Sequence, residues 1–240
     1  INSFLLIVLM LGSHCCMAQK EVGLFEGQYN SALKNFEDGD ISMALFQLNE
    51  IVRLNPEYLD AYYLRGRIFS NIQEYDKSLT DFNHLIKKIP NIFPEIFVER
   101  GLVYSSIQKF ELAINDYTNA LKIENNNLFA YIQRGYCFFE MAEFEKAIQD
   151  LDKALNIDPF NKHALYIRGS IHVYDLENDQ LAINDFTRLL EIDSTNFEVY
   201  LDRGNAYLNL NMHDKACKDY NTALKNGVNG AKDSIIEFCE

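Results

Sequence analysis

The chain has 240 residues and a formal net charge of −13. That acidity repels phosphate backbones, which argues against nucleic-acid binding and favours basic partners in any electrostatic steering. Hydrophobic residues make up 48%, too many for a disordered chain, and only 4 Pro and 11 Gly interrupt it, a pattern of helices rather than of a many-stranded sandwich.

In chain order, residues 4–11 form an unbroken apolar run. Small and polar residues follow up to Ala18, and the first charge is Lys20. The run is far shorter than the ~20 residues that cross a bilayer. It suits the apolar core of a secretory signal peptide, cleaved near Ala18, so residues 1–18 are assigned to that segment. No basic stretch or initiator Met precedes it, and residues upstream of Ile1 are expected. Export follows, to a periplasm or to the outside, with membrane anchoring as the alternative. A lipid anchor on Cys15 or Cys16 is disfavoured, because His14 or Cys15 would stand where a small residue is needed.

From there a pattern recurs. Arg-Gly appears at Arg65-Gly66, Arg100-Gly101, Arg134-Gly135, Arg168-Gly169 and Arg203-Gly204, with glycines 35, 34, 34 and 35 apart. Three residues before each Arg stands Tyr62, Phe97, Tyr131, Leu165 or Tyr200. Three after each Gly stands Phe69, Tyr104, Phe138, His172 or Tyr207. Those offsets share one helix face. A second stripe follows: Ser78, Ala113, Ala147, Ala182 and Ala216, each with Phe82, Tyr117, Leu151, Phe186 or Tyr220 four residues on. That is a second helix with its own buried side. Short polar turns such as Gln73-Glu74 and Ala142-Glu143 join each pair, and Pro56, Pro90 and Pro159 close three units. One helical pair cannot bury its stripe alone, so the pairs must stack.

The spacing resembles the tetratricopeptide repeat, whose pattern runs W-x2-L-G-x2-Y, then A-x3-F, then Pro. Tyr, Phe or Leu replaces the Trp, and Arg replaces the Leu before Gly. The resemblance implies an all-α fold, an α-solenoid of six tandem helix-turn-helix repeats within residues 19–230. The units are 25–58, 59–93, 94–127, 128–161, 162–196 and 197–230. The first is the most degenerate, with Ala32 at the crossing position, and the fifth has one extra residue near Glu177. Residues 231–240 read as a C-terminal capping helix. In the repeat scheme Cys217 and Cys239 lie near each other, the pair expected to bond after export. Cys137 reads as a small buried hydrophobe.

Asp81, Asp116, Asp150, Asp185 and Asp219 share one position of the second helices, and the five Arg share one of the first. Two rows of opposite charge with one period predict a structural ladder of ion pairs rather than a ligand site.

No catalytic constellation is visible. His84, His163, His172 and His213 sit at unrelated repeat positions, and no zinc-protease, nucleophile-elbow, phosphate-loop or calcium-loop motif occurs. The reading is non-enzymatic, with no metal and no cofactor. The resemblance implies a concave groove lined by the first helices. It places Tyr63, Val98, Phe129, Ile132, Tyr136, Phe139, Tyr166, Val173 and Leu201 there, an apolar and aromatic surface for a peptide or helix. A clamp for a chain-terminal carboxylate is disfavoured: the fifth position of the repeats, Tyr63, Val98, Ile132, Tyr166 and Leu201, carries no cation, and only Asn205 matches. Two functions stay open: an exported scaffold or adaptor that takes a segment of another protein, and a chaperone-like or envelope assembly factor that holds unfolded chains.

Overall fold

The computed structural model describes residues 16–89 and 93–239, with side chains from Phe25 onward. Residues 1–15 of the expected signal segment, and Pro90, lie outside the described residues. The described residues hold thirteen helices and no strand. They fall into two compact units that divide after Gln108, between the two helices of the third repeat.

Unit 1 contains α1 (Cys16–Glu37), α2 (Ile41–Leu54), α3 (Leu59–Asn71), α4 (Tyr75–Lys88) and α5 (Pro94–Ser106). α1 begins at Cys16, ahead of the expected cleavage point, and is the longest helix at 22 residues. Asp40 caps α2 by accepting from the Met43 amide at 3.0 Å, and Pro94 opens α5 at a first-turn position where its missing N–H costs nothing. One core gathers Ala32, Ala44, Leu48, Ile51, Ala61, Leu64 and Ile68. A second gathers Tyr62, Phe82, Leu85, Ile96 and Val103. Ser78 is buried at the small-residue position of α4, and its hydroxyl donates to the Gly66 carbonyl at 2.8 Å.

Unit 2 contains α6 (Phe110–Ile123), α7 (Leu128–Glu140), α8 (Phe144–Ile157), α9 (Lys162–Tyr174), α10 (Asp179–Ile192), α11 (Phe197–Asn209), α12 (His213–Lys225) and α13 (Ala231–Phe238). Asn127 and Asn161 cap α7 and α9, accepting from Ala130 and Ala164 amides. The small residues Ala147, Ala182 and Ala216 are fully buried. The Ala147 carbonyl lies against Gly135, and rings four residues after Ala182 and Ala216 lie against the glycines of their partner helices. A Cβ placed on Gly204 would lie 2.5 Å from the Tyr220 ring, and one on Gly169 would lie 2.7 Å from Phe186. Only glycine lets the helices approach this closely. The extra residue of the fifth repeat lengthens the α9–α10 turn, which spans residues 175–178.

The turns inside the repeats need a left-handed residue to end the first helix. Gly39 takes that place in the first repeat at φ 84°. Gln73, Gln108, Ala142, Glu177 and Asn211 take it elsewhere, at φ between 53° and 62°. Each carries a cost of about 1–2 kcal/mol for its Cβ. The turns close by bonds such as Glu74 N–H to the Phe69 carbonyl and Glu143 N–H to the Phe138 carbonyl, both 2.8 Å.

Candidate functional site

The Arg and Asp rows meet. Arg65 grips Asp81, Arg134 grips Asp150, Arg168 grips Asp185 and Arg203 grips Asp219, each through two N–H···O bonds of 2.6–2.9 Å. The four aspartates are buried. Each Arg then donates from Nη1 to the second helix of the preceding repeat: Asn49, Thr118, Asp152 or Thr187. Arg100 does the same with Asn83 at 2.5 Å. Its sequence-predicted partner Asp116 belongs to the other unit. One guanidinium therefore ties three helices, a fixed fork that suits this geometry better than Lys would. Flanking rings sandwich it: Arg203 lies over Tyr200 and Tyr207 at 5.5 and 5.8 Å. These bonds hold each guanidinium within the fold, the structural role that the two charged rows predict.

The inner faces of the first helices differ between the units. In unit 1, Tyr63 on α3 donates to Glu99 Oε1 on α5 at 3.5 Å. Arg67 bonds the same Oε1 at 3.2 Å and stacks over the Tyr63 ring at 5.8 Å. Burial raises the Glu99 carboxyl, and the Arg67 charge works against that rise. Val98 is half-buried on the same stretch.

In unit 2 the face is aromatic and acidic. Phe129 and Tyr166 are exposed by 45% and 40%, and Tyr174 by 53%. Tyr174 donates to Asp202 Oδ1 at 2.5 Å, and the Tyr166 hydroxyl is a second hydrogen-bonding neighbour of Asp202. Burial pushes the Asp202 carboxyl up, opposed by those two hydroxyls, and pushes Tyr166 up as well. Tyr136 turns its hydroxyl to Glu140, which together with burial pushes its pKa up to about 12. Asn205 is spent: its amide donates to Tyr174 Oη, and its oxygen accepts from Tyr220. The one residue that matched a carboxylate clamp is thus locked into the wall.

Several predicted groove residues are drawn toward the core. Ile132 and Val173 are buried in the unit 2 core and offer little surface to a partner. Phe139 packs against that core and Phe144, and Leu201 packs under the cap, beside Gly230. Groove and core stripes adjoin on a helix. An aliphatic side chain at the boundary turns inward, where burial is worth about 1.5–3 kcal/mol, whereas a tyrosine keeps its hydroxyl at the surface.

One feature of unit 2 escaped the sequence. In the fifth repeat Leu165 and His172 stand where other repeats place rings around the Arg. There a pocket of about 740 Å³ opens, lined by residues including Arg168, His172, Leu181, Asp152 and Arg188. His172 is buried, its Nδ1 has no hydrogen-bond partner among the described residues, and burial lowers its pKa. Its trace in the sequence is His172, at the position where the other repeats carry Phe or Tyr.

Cys217 on α12 and Cys239, the residue after α13, form a disulfide that fastens the last helix. Cys137 is buried. His163 and His213 are exposed, and His84 stacks on Tyr62 at 4.2 Å. Among the described residues no group of His, Cys, Asp and Glu could hold a metal, and no helix is long and apolar enough to cross a membrane.

Models of the tetratricopeptide repeat match residues 59–91, 94–127, 129–161 and 186–218. The chain belongs to the tetratricopeptide repeat family. Solved repeat proteins share its fold. The C-terminal part of a repeat protein from Cytophaga hutchinsonii aligns with TM-score 0.74 and 21% identity over 87% of this chain and 84% of its own. A repeat protein from Parabacteroides merdae gives 0.68 and 17%, covering 89% of this chain and 96% of its own. YrrB, described as having an unusual peptide-binding site, gives 0.62 and 19%, covering 72% and 88%. No curated protein sequence matches the chain. Tetratricopeptide repeats are protein-interaction scaffolds, and a protein partner is the function class that the family gives this chain.

Proposed function

We propose that this chain is an exported, non-enzymatic adaptor that holds a segment of another protein on the inner face of α7, α9 and α11. The observation that carries the reading is the exposure of Tyr166 and Tyr174 beside Asp202, with Phe129 exposed on α7. Rigid aromatic side chains left open at a surface are what interfaces use as anchors. The peptide site of YrrB, a protein of the same fold, supports a segment rather than a flat surface as the partner. Export is supported by the apolar run at residues 4–11 and by the Cys217–Cys239 bond, which persists in oxidising compartments.

The test is affinity purification from the cells of origin. Tagged chain and a Phe129→Ala/Tyr166→Ala variant are compared, with folding verified by circular dichroism. One partner retained by the parent and lost by the variant supports the reading. Equal recovery on both moves the site elsewhere. Broad recovery of unfolded chains by both would favour the chaperone-like alternative.

A further inference from the structure

The two units repeat one arrangement with one change. Tyr63 is the fifth residue of its repeat and Glu99 the sixth of the next. Tyr166 and Asp202 occupy the same two places in unit 2. In both units the tyrosine hydroxyl faces the acid across two successive first helices, and burial raises the acid. In unit 1 the ninth residue is Arg67, whose guanidinium lies over the tyrosine and on the acid. In unit 2 the ninth residue is Ser170, which has no charge.

We propose that the Tyr166–Asp202 site of unit 2 receives an arginine side chain from the bound partner, placed as Arg67 is placed in unit 1. The proposal rests on the adaptor reading above and specifies the chemistry of its partner. Several observations converge on it. Tyr166 and Tyr174 are part-exposed and both bring a hydroxyl to the acid. A planar cation stacks on such rings. Asp202 accepts from Tyr174 at Oδ1 at 2.5 Å and has Tyr166 as a second hydroxyl neighbour, and a carboxylate keeps further lone pairs for an arriving guanidinium. Glu198, exposed one turn before Asp202, and Glu140 add negative charge along the face. The cations of these three helices lie elsewhere: Arg134, Arg168 and Arg203 are bound in the ladder, and Lys162 pairs with Asp193. A partially desolvated carboxylate beside aromatic side chains gains most from a delocalised, weakly hydrated cation, so arginine is favoured over lysine.

The experiment pans a random peptide library, displayed on phage, against the full chain. Selected peptides are synthesised, and their dissociation constants are measured on the parent, on Asp202→Asn and on Tyr166→Ala. Asp202→Asn keeps an oxygen for the Tyr174 hydroxyl and so preserves the wall. A second set of the same peptides carries citrulline, the neutral analogue, in place of arginine, which leaves the protein untouched. The proposal predicts one recurring arginine. It also predicts a loss of roughly tenfold or more with citrulline or with Asp202→Asn, and weaker binding as salt rises. Peptides that need Tyr166 but carry no recurring arginine, or that bind equally with citrulline, overturn this inference and leave the adaptor reading standing. If no peptide is sensitive to Tyr166→Ala, both fall.

Discussion

Units 1 and 2 share a frame and differ in what they leave open. In unit 1 the inner-face acid Glu99 already has its cation, Arg67, from the same chain. In unit 2 the corresponding acid, Asp202, is held by the Tyr174 and Tyr166 hydroxyls, and its charged neighbour is another acid, Glu198. The ladder that sets helix positions is the same in both, from Arg65–Asp81 to Arg203–Asp219. Repetition therefore fixes the scaffold, and substitution at single places, such as Ser170 for Arg67, differentiates its surface.

The shared frame is tested by the largest effect. Arg65→Ala in unit 1 and Arg134→Ala in unit 2 each strand a buried aspartate, Asp81 or Asp150. Each should cost about 3–5 kcal/mol in denaturant unfolding, since both guanidiniums are mostly buried. A much smaller cost in one unit would show that the ladder does not support the two alike.

The next effect separates the units. Only unit 2 carries a disulfide among the described residues, and Cys217→Ser/Cys239→Ser should destabilise α12 and α13 by roughly 2–5 kcal/mol. Native-state hydrogen exchange reads this locally: protection should fall in α12 and α13 and hold in α2 to α4. A uniform loss through both units would contradict the expected locality.

The smallest effect is a matter of pH in unit 1. Burial pushes the Asp60 carboxyl on α3 up to about 6. An unfolded aspartate titrates near 3.9, so the native state holds this proton more tightly. The stabilisation is complete below about pH 4 and is lost as pH rises through about 6. Asp60→Asn should then stabilise unit 1 at pH 7 by on the order of 1 kcal/mol, with the gain vanishing near pH 4. A gain that is equal at both pH values would deny the raised pKa.

Most of the helical frame could be read from spacing. The Gly, Ala and aromatic offsets fix which residues face inward, since a helix repeats every 3.6 residues. The two charged rows were equally plain, but the third tie of each Arg was missed. Its trace is the hydrogen-bonding residue after each core aromatic or Leu, namely Asn49, Asn83, Thr118, Asp152 and Thr187. The left-handed turns were hidden because Gln73, Ala142 and their equivalents stand where glycine would have announced them. The groove was legible only in part. Periodicity placed Ile132 and Tyr166 alike, and packing then drew the aliphatic residue in and left the phenol out. The neighbour of Asp202 needed two helices in register before it could be seen.

The most direct measurement is calorimetric titration of an arginine-bearing selected peptide into the parent chain and into Ser170→Arg. That substitution gives unit 2 the cation that Arg67 gives unit 1. Ser170→Arg should remain folded and lose the peptide by at least about tenfold, because its own guanidinium occupies Tyr166 and Asp202. Unchanged affinity in a folded Ser170→Arg chain would contradict it.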